Sequence, residues 1–132
     1  MTQRARPHDW MMLTGGAIGQ GMPLALGASL AAPDRKTLCI TGDGAGMYTN
    51  QALWSMAREG ANVVNVVFVN HSYRILNIEL ARTGAGNPGP AAQELLGLGH
   101  PEIDWVKLSE AQGVPAANAT TAEEFDAALE RA

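Results

Sequence analysis

Several features that would point directly to a function are scarce in this chain. A single cysteine, Cys39, excludes an internal disulfide and any metal centre built from cysteines. Charged residues make up only 17% of the 132 positions, against about 25% in a typical soluble domain. Nine basic and thirteen acidic residues give a net charge of −4, and no basic run occurs. That balance argues against a nucleic-acid partner or an anionic membrane surface. No apolar stretch approaches the ~18 residues that a membrane span requires. The first eight residues carry basic side chains with no apolar region behind them, so no secretory signal is read and a cytoplasmic chain is expected. Aromatic residues are only 5% of the total, too few for a large aromatic core.

What the chain has instead is glycine, fifteen residues of it, and an apolar fraction of 46%. Its length suits one domain. The alternation of elements is regular. Trp10–Thr14 reads as a short apolar strand, broken by the glycine loop Gly15–Gly21. Met22–Ala32 reads as a helix, with Pro23 in its first turn. Thr37–Thr41 has the compact apolar character of a buried parallel strand. Gly42–Gly46 then reads as a loop, Thr49–Glu59 as a helix ended by Gly60, and Val63–Val69 as the next strand. A helix near Ile75–Arg82 follows, then the turn-rich stretch Gly84–Pro90, while Gln93–Gly99 fits neither pattern well. Asp104–Gln112 reads as a helix closed by Gly113, and Val114–Ala117 as a short strand. Thr121 and Glu124 have the spacing of a capping box for a last helix. Strands apolar on both faces, alternating with helices, predict an α/β fold: a doubly wound parallel sheet flanked by helices.

In such a sheet all strands release the chain at one edge, and ligands bind at those carboxyl ends. Asp43 follows one predicted strand and Asn70 follows the next, twenty-seven residues later, which is one helical crossover. A carboxylate, an amide oxygen and nearby backbone carbonyls are hard oxygen donors that suit magnesium. Gly44, Ala45 and Gly46 offer unobstructed N–H groups ahead of a helix, a placement that suits an anion. The run Gly15–Gly21 does not fit the Gly-x-Gly-x-x-Gly pattern of a dinucleotide loop.

Gly42-Asp43-Gly44, a twenty-five-residue spacer and Asn70, with Tyr73 three positions on, resembles the signature of thiamine-diphosphate-dependent enzymes. The run from Gly15 to Gly44 is similar to the cofactor-binding (pyrophosphate) domain of 2-oxo-acid decarboxylases and acetohydroxyacid synthases. The stretches beginning at Asn77 and Asp104 resemble the acetolactate-synthase large-subunit-like branch, close to benzoylformate decarboxylase. The resemblance implies thiamine diphosphate and Mg2+ as cofactors. Asp43, the amide of Asn70 and the backbone carbonyl of Ser72 would be the metal ligands, with two diphosphate oxygens and a water completing an octahedron. Gly42, Gly44 and Ala45 would lie against the diphosphate, with Gly44 and Ala45 donating N–H groups. Gly16 would offer its carbonyl to the pyrimidine, Ile18 would be an apolar wedge, and Met22 and Tyr73 would complete the cofactor contacts. Val69 stands where the family has the first asparagine of a pair.

The resemblance also implies what another domain must bring. In the family an activating glutamate comes from a pyrimidine-binding domain, so no catalytic residue is assigned in this chain. It reads as one pyrophosphate-binding domain over residues 1–132, truncated at both ends, with pyrimidine-binding and central domains absent. The implied partner is a pyrimidine-binding domain or subunit in a homo- or hetero-oligomer, and the implied substrate a 2-oxo acid, cleaved or ligated as by a lyase or transferase. Two alternatives stand beside this: a catalytically silent fragment or split-enzyme subunit, and an unrelated phosphate-binding module of flavodoxin-like or nucleotide-binding type. His71 and His100 read as loop residues, Cys39 as core, Trp54 as packing, and Glu79 with Arg82 as a solvated face.

Overall fold

The computed structural model describes residues 5–84 and 89–132. Its centre is a strand–helix–strand unit. β1 (Thr37–Gly42) and β2 (Val63–Phe68) pair in parallel, with Thr37 opposite Val63 and Gly42 opposite Phe68. The crossover is two helices, α2 (Asp43–Thr49) and α3 (Ala52–Glu59), and α1 (Gly21–Ala31) precedes it. After β2 come α4 (Arg74–Arg82), α5 (Pro90–Leu96), α6 (Trp105–Ala111) and α7 (Ala122–Arg131). A parallel sheet flanked by helices is thus the observed architecture, with two strands among the described residues.

Side chains alternate across a strand. One face carries Cys39, Val63 and Val67 into a core with Met22 and Ala25 of α1 and Ala52, Leu53 and Met56 of α3. Trp105 and Val114 pack against the same cluster, which brings α6 onto the crossover. Burial pushes the Cys39 thiol above its ordinary pKa and marks it as a core residue.

Three local expectations are corrected. Trp10–Thr14 forms no strand, and Trp10, Met11, Met12 and Leu13 are exposed. Val114–Ala117 forms none either. Val114 instead closes α6, its N–H donating to the Ser109 carbonyl (3.0 Å) and its carbonyl accepting from the Ser109 hydroxyl (2.9 Å). Gly42–Gly46 is not a loop, because α2 begins at Asp43. Glycine costs a helix about 1 kcal/mol relative to alanine, but here neighbours take the space. A Cβ on Gly44 would meet the Tyr73 ring at 3.0 Å, and one on Gly46 would meet Trp105 at 2.7 Å. The expected Thr49–Glu59 helix is the second part of this crossover, interrupted at Asn50–Gln51.

Other expectations hold. Gly60 ends α3 in the left-handed region at φ 59°. Gln93 lies within helix α5. Asp104 caps α6 by accepting from the Lys107 N–H (3.0 Å). The Thr121–Glu124 capping box is formed in full. Hydrogen bonds from the Thr120 N–H and hydroxyl, then the Thr121 N–H, hold the Glu124 carboxyl below its usual pKa. Glu79 and Arg82 form an exposed ion pair at 2.8 Å. One further expectation is corrected: Trp54, expected to pack, is half exposed, with Arg58 over its ring at 5.5 Å. Of the turn-rich stretch Gly84–Pro90, residues 85–88 lie outside the described residues.

The second sheet face is poorly covered. Leu38, Ile40, Val64, Val66 and Phe68 share it by register and alternation, with Ile40 54% and Phe68 61% exposed. Parallel sheets are normally covered on both faces. The total accessible surface is 9517 Å², whereas a folded monomer of this mass exposes about 6,700 Å². An excess of that size is comparable with a large protein interface. The free chain is therefore expected to self-associate at tens of micromolar, as read by light scattering. A clean 13.9 kDa species would contradict this.

Candidate functional site

The carboxyl ends of β1 and β2 deliver Asp43 and Asn70 to the same rim, as the crossover requires. Asp43 opens α2 and is 2% exposed. Its Oδ2 accepts from the backbone N–H of Asn70 (3.1 Å) and of His71 (2.7 Å), and its Oδ1 from the N–H of Gly44 (2.8 Å). Among the described residues no cationic side chain pairs with it. A buried carboxylate without a counter-charge is costly.

The loop after β2 is tied down residue by residue. The Ser72 N–H donates to Asn70 Oδ1 (3.0 Å), and the Arg74 N–H to the Ser72 carbonyl (2.8 Å). The Tyr73 N–H donates to the Leu96 carbonyl (2.9 Å), and the Leu98 N–H to the His71 carbonyl (2.7 Å). Every backbone N–H from Asn70 to Arg74 thus has an acceptor. His71 takes a left-handed conformation at φ 55°, and its half-exposed ring lies 3.9 Å from Glu102.

Lone-pair counting tests whether these residues fit a divalent ion. A carboxylate offers about four acceptor positions and a carbonyl or amide oxygen two. The Asp43 carboxylate uses three, Asn70 Oδ1 one and the Ser72 carbonyl one. Each of the three groups keeps one lone pair to which none of these bonds among the described residues is directed. All are hard oxygens, the donor type that Mg2+ takes, alongside substrate phosphates and water. Among the described residues no three His, Cys, Asp or Glu side chains gather as a metal group, so a softer metal has no competing site. The donor set fits.

The glycine loop packs against α2. Gly15, Gly16 and Gly19 all have positive φ, from 61° to 89°, so the expected loop is present. Thr49 of α2 donates its hydroxyl to the Gly19 carbonyl (2.6 Å). A Cβ on Gly19 would meet Tyr48 Cβ at 2.7 Å, so the loop lies directly on α2. Tyr48 also stacks edge-on against Tyr73, with ring centroids 6.2 Å apart. Tyr48 thereby links the loop bearing Gly16 and the exposed Ile18 to the loop bearing Asn70 and Ser72.

Two placements bear on the roles that the resemblance implies. Met22 is 1% exposed and belongs to the core cluster. The N–H of Gly44 is engaged by Asp43, which leaves Ala45 as the first-turn donor without an intrahelical acceptor. Sequence reasoning did not find Tyr48, Leu96 or Leu98. Leu96 and Leu98 act through their backbones, which no side-chain pattern announces.

The site is thus a rim of hard oxygens at the carboxyl edge of a parallel α/β sheet, beside a glycine-rich helix start. The family of the thiamine pyrophosphate enzyme C-terminal TPP-binding domain matches residues 1–132, and the chain belongs to it. A Mycobacterium tuberculosis protein named acetolactate synthase large subunit IlvX is 54% identical over 132 residues, 99% of this chain and 26% of its own length. Benzoylformate decarboxylase of Pseudomonas aeruginosa is 34% identical over 126 residues, 96% of this chain and 22% of its own. The structure of the Rhodococcus jostii RHA1 thiamine diphosphate-dependent 4-hydroxybenzoylformate decarboxylase superposes with a TM-score of 0.76 at 35% identity, covering 86% of this chain and 20% of that one. Benzoylformate decarboxylase from Polynucleobacter necessarius gives 0.74 at 29%, covering 88% and 22%. The chain thus spans about a quarter or less of the length of these relatives. Family membership displaces the alternative of an unrelated phosphate-binding module.

Proposed function

We propose that this chain binds thiamine diphosphate through Mg2+, as the cofactor-holding part of an acetolactate-synthase-like or 2-oxo-acid decarboxylase enzyme. The observation that carries this reading is the buried Asp43 carboxylate. Among the described residues it has no cationic partner and three N–H donors for about four acceptor positions, on the rim that also carries Asn70 and Ser72. When bound, thiamine diphosphate supplies the electron sink for carbon–carbon bond cleavage or ligation next to a carbonyl. The chain's own part is to hold it.

Asp43, the Asn70 amide oxygen and the Ser72 carbonyl ligate the ion, and their charge and dipoles offset part of its charge. The Ala45 N–H and the start of α2 face the diphosphate, with Gly42, Gly44 and Tyr73 around it. The helix end alone contributes only about 0.3–1 kcal/mol where exposed, so the ion carries most of the anchoring. Gly16 and Ile18, held over α2 through Gly19 and Thr49, face the pyrimidine. No residue here is assigned the activating proton transfer. A pyrimidine-binding domain or subunit supplies that group, and the 2-oxo acid is bound between the two. In this reading residues 1–132 are a single pyrophosphate-binding domain.

A thermal-shift titration with thiamine diphosphate, with and without Mg2+, tests the anchor without requiring turnover. At a hundredfold excess over Kd, about 2.7 kcal/mol of stabilisation is expected, a rise of roughly 10 °C for a domain of this size. The rise should need both components. No shift with the pair, or an equal shift from a flavin or nucleotide, overturns the proposal.

A further inference from the structure

The loop that presents the Ser72 carbonyl is held from outside by a short polar relay. Asn77, one turn into α4, donates its side-chain N–H to Ser72 Oγ (3.1 Å). Ser72 Oγ in turn donates to the Leu96 carbonyl at the end of α5 (3.4 Å). The same carbonyl accepts the Tyr73 N–H (2.9 Å), and Ser72 is bridged to Gly97 as a strand pair. Three elements therefore meet on one hydroxyl: α4, the loop after β2, and the end of α5.

The relay matters because apolar packing does little here. α4 buries no residue fully, and Ile75, Leu76 and Ile78 are all exposed. A helix without a buried face does not fix the loop before it by packing. Directed bonds then set how Ser72 is oriented. The Tyr73 N–H on the Leu96 carbonyl ties the peptide that carries the Ser72 carbonyl to α5, and rotation of the Ser72 side chain away from Leu96 would leave that single bond as a pivot about which the carbonyl can tilt. The Arg74 N–H on that carbonyl restrains it only from within the same loop.

We propose that Asn77 is a positioning residue for the cation site, acting through the Ser72 hydroxyl to aim the Ser72 carbonyl. This rests on the function proposed above. It adds a residue that touches neither ion nor coenzyme. Groups that orient metal ligands typically cost 10–100-fold in metal affinity when removed. The longest bond in this relay, 3.4 Å, places the effect at the lower end.

The test uses the full chain with thiamine diphosphate and Mn2+ as the probe, the free ion being followed by its paramagnetic resonance signal. Asn77→Leu, nearly isosteric and without a donor, and Ser72→Ala, which keeps the backbone carbonyl, should each weaken Mn2+ about tenfold. The double variant should be no weaker than either single one, because both remove the same relay. Melting temperatures without metal should fall by no more than about 5 °C, as for the loss of one part-buried hydrogen bond. Asn77→Ser, too short to reach, replaces Asn77→Leu should that variant fold poorly. Unchanged Mn2+ affinity in Asn77→Leu with a binding parent overturns this inference alone. So does a double variant whose loss is the product of the two single losses, which would make the residues independent. A parent chain that takes up no Mn2+ overturns the proposed function and the inference together.

Discussion

Asp43→Ala should abolish the Mg2+-dependent part of thiamine diphosphate binding. The side chain does two jobs, and the variant separates them only if both are measured. It is the only charged group among the three oxygens of the rim, so its removal leaves an amide and a carbonyl against a doubly charged ion. The loss should exceed a hundredfold, the upper end of what removal of an outer-shell residue costs. It also accepts three backbone N–H groups, from Gly44, Asn70 and His71. Each donor left without an acceptor costs about 1–3 kcal/mol where water cannot reach it. The alanine variant should therefore melt well below the parent even without ligand. Asp43→Asn keeps the shape and one oxygen while removing the charge, and it should retain more stability and almost no cation affinity. Calorimetric titration below the melting range of each variant reads the binding. Binding of either variant at the parent's affinity would remove Asp43 from the metal site.

Gly46→Ala is expected to destabilise the chain by about 1–2 kcal/mol, although alanine is the better helix former. The gain in helix propensity is up to about 1 kcal/mol. Against it stands a Cβ placed 2.7 Å from Trp105 Cη2 and 3.4 Å from Met22 Cε. The contact lies at the tip of a rigid indole set against the core, so it cannot be relieved by a side-chain swing, and overpacking of this kind costs about 1–3 kcal/mol. Trp105→Phe shortens the ring and takes away a buried indole N–H that has no acceptor. In that background the same Gly46→Ala change should cost little or become favourable. Thermal denaturation of the four chains gives the coupling, expected to be at least about 1 kcal/mol. Additive effects would mean that α6 does not lie on α2 as described.

These two residues also show what the sequence could and could not reveal. The parallel pairing of β1 with β2 was legible because Thr37–Thr41 and Val63–Val69 are short apolar runs bounded by turn residues. The meeting of Asp43 with Asn70 followed from the topology alone. Gly42–Gly46 was misread as a loop because three glycines in five residues normally signal one. Their real cause is the Tyr73 ring and Trp105, which come from segments 29 and 59 residues away in the chain. Local composition carries no trace of such distant neighbours. Trp10–Thr14 shows the opposite error. Its apolar residues fit a strand, but a strand needs a hydrogen-bonded neighbour, and none is present among the described residues. Of the bonds that fix the Asn70–Arg74 loop, those to the Leu96, His71 and Ser72 carbonyls are backbone-to-backbone, and for them side-chain identity is nearly silent.

The poorly covered flank of the sheet has a consequence for the chain's life in a cell. A polypeptide whose greasy side is sheltered only in an assembly is, while solitary, a target for chaperones and proteases. Copies whose Ile40 and Phe68 stay open to solvent would be cleared, and the steady-state amount of this chain would be set by how fully that face is covered as well as by its rate of synthesis.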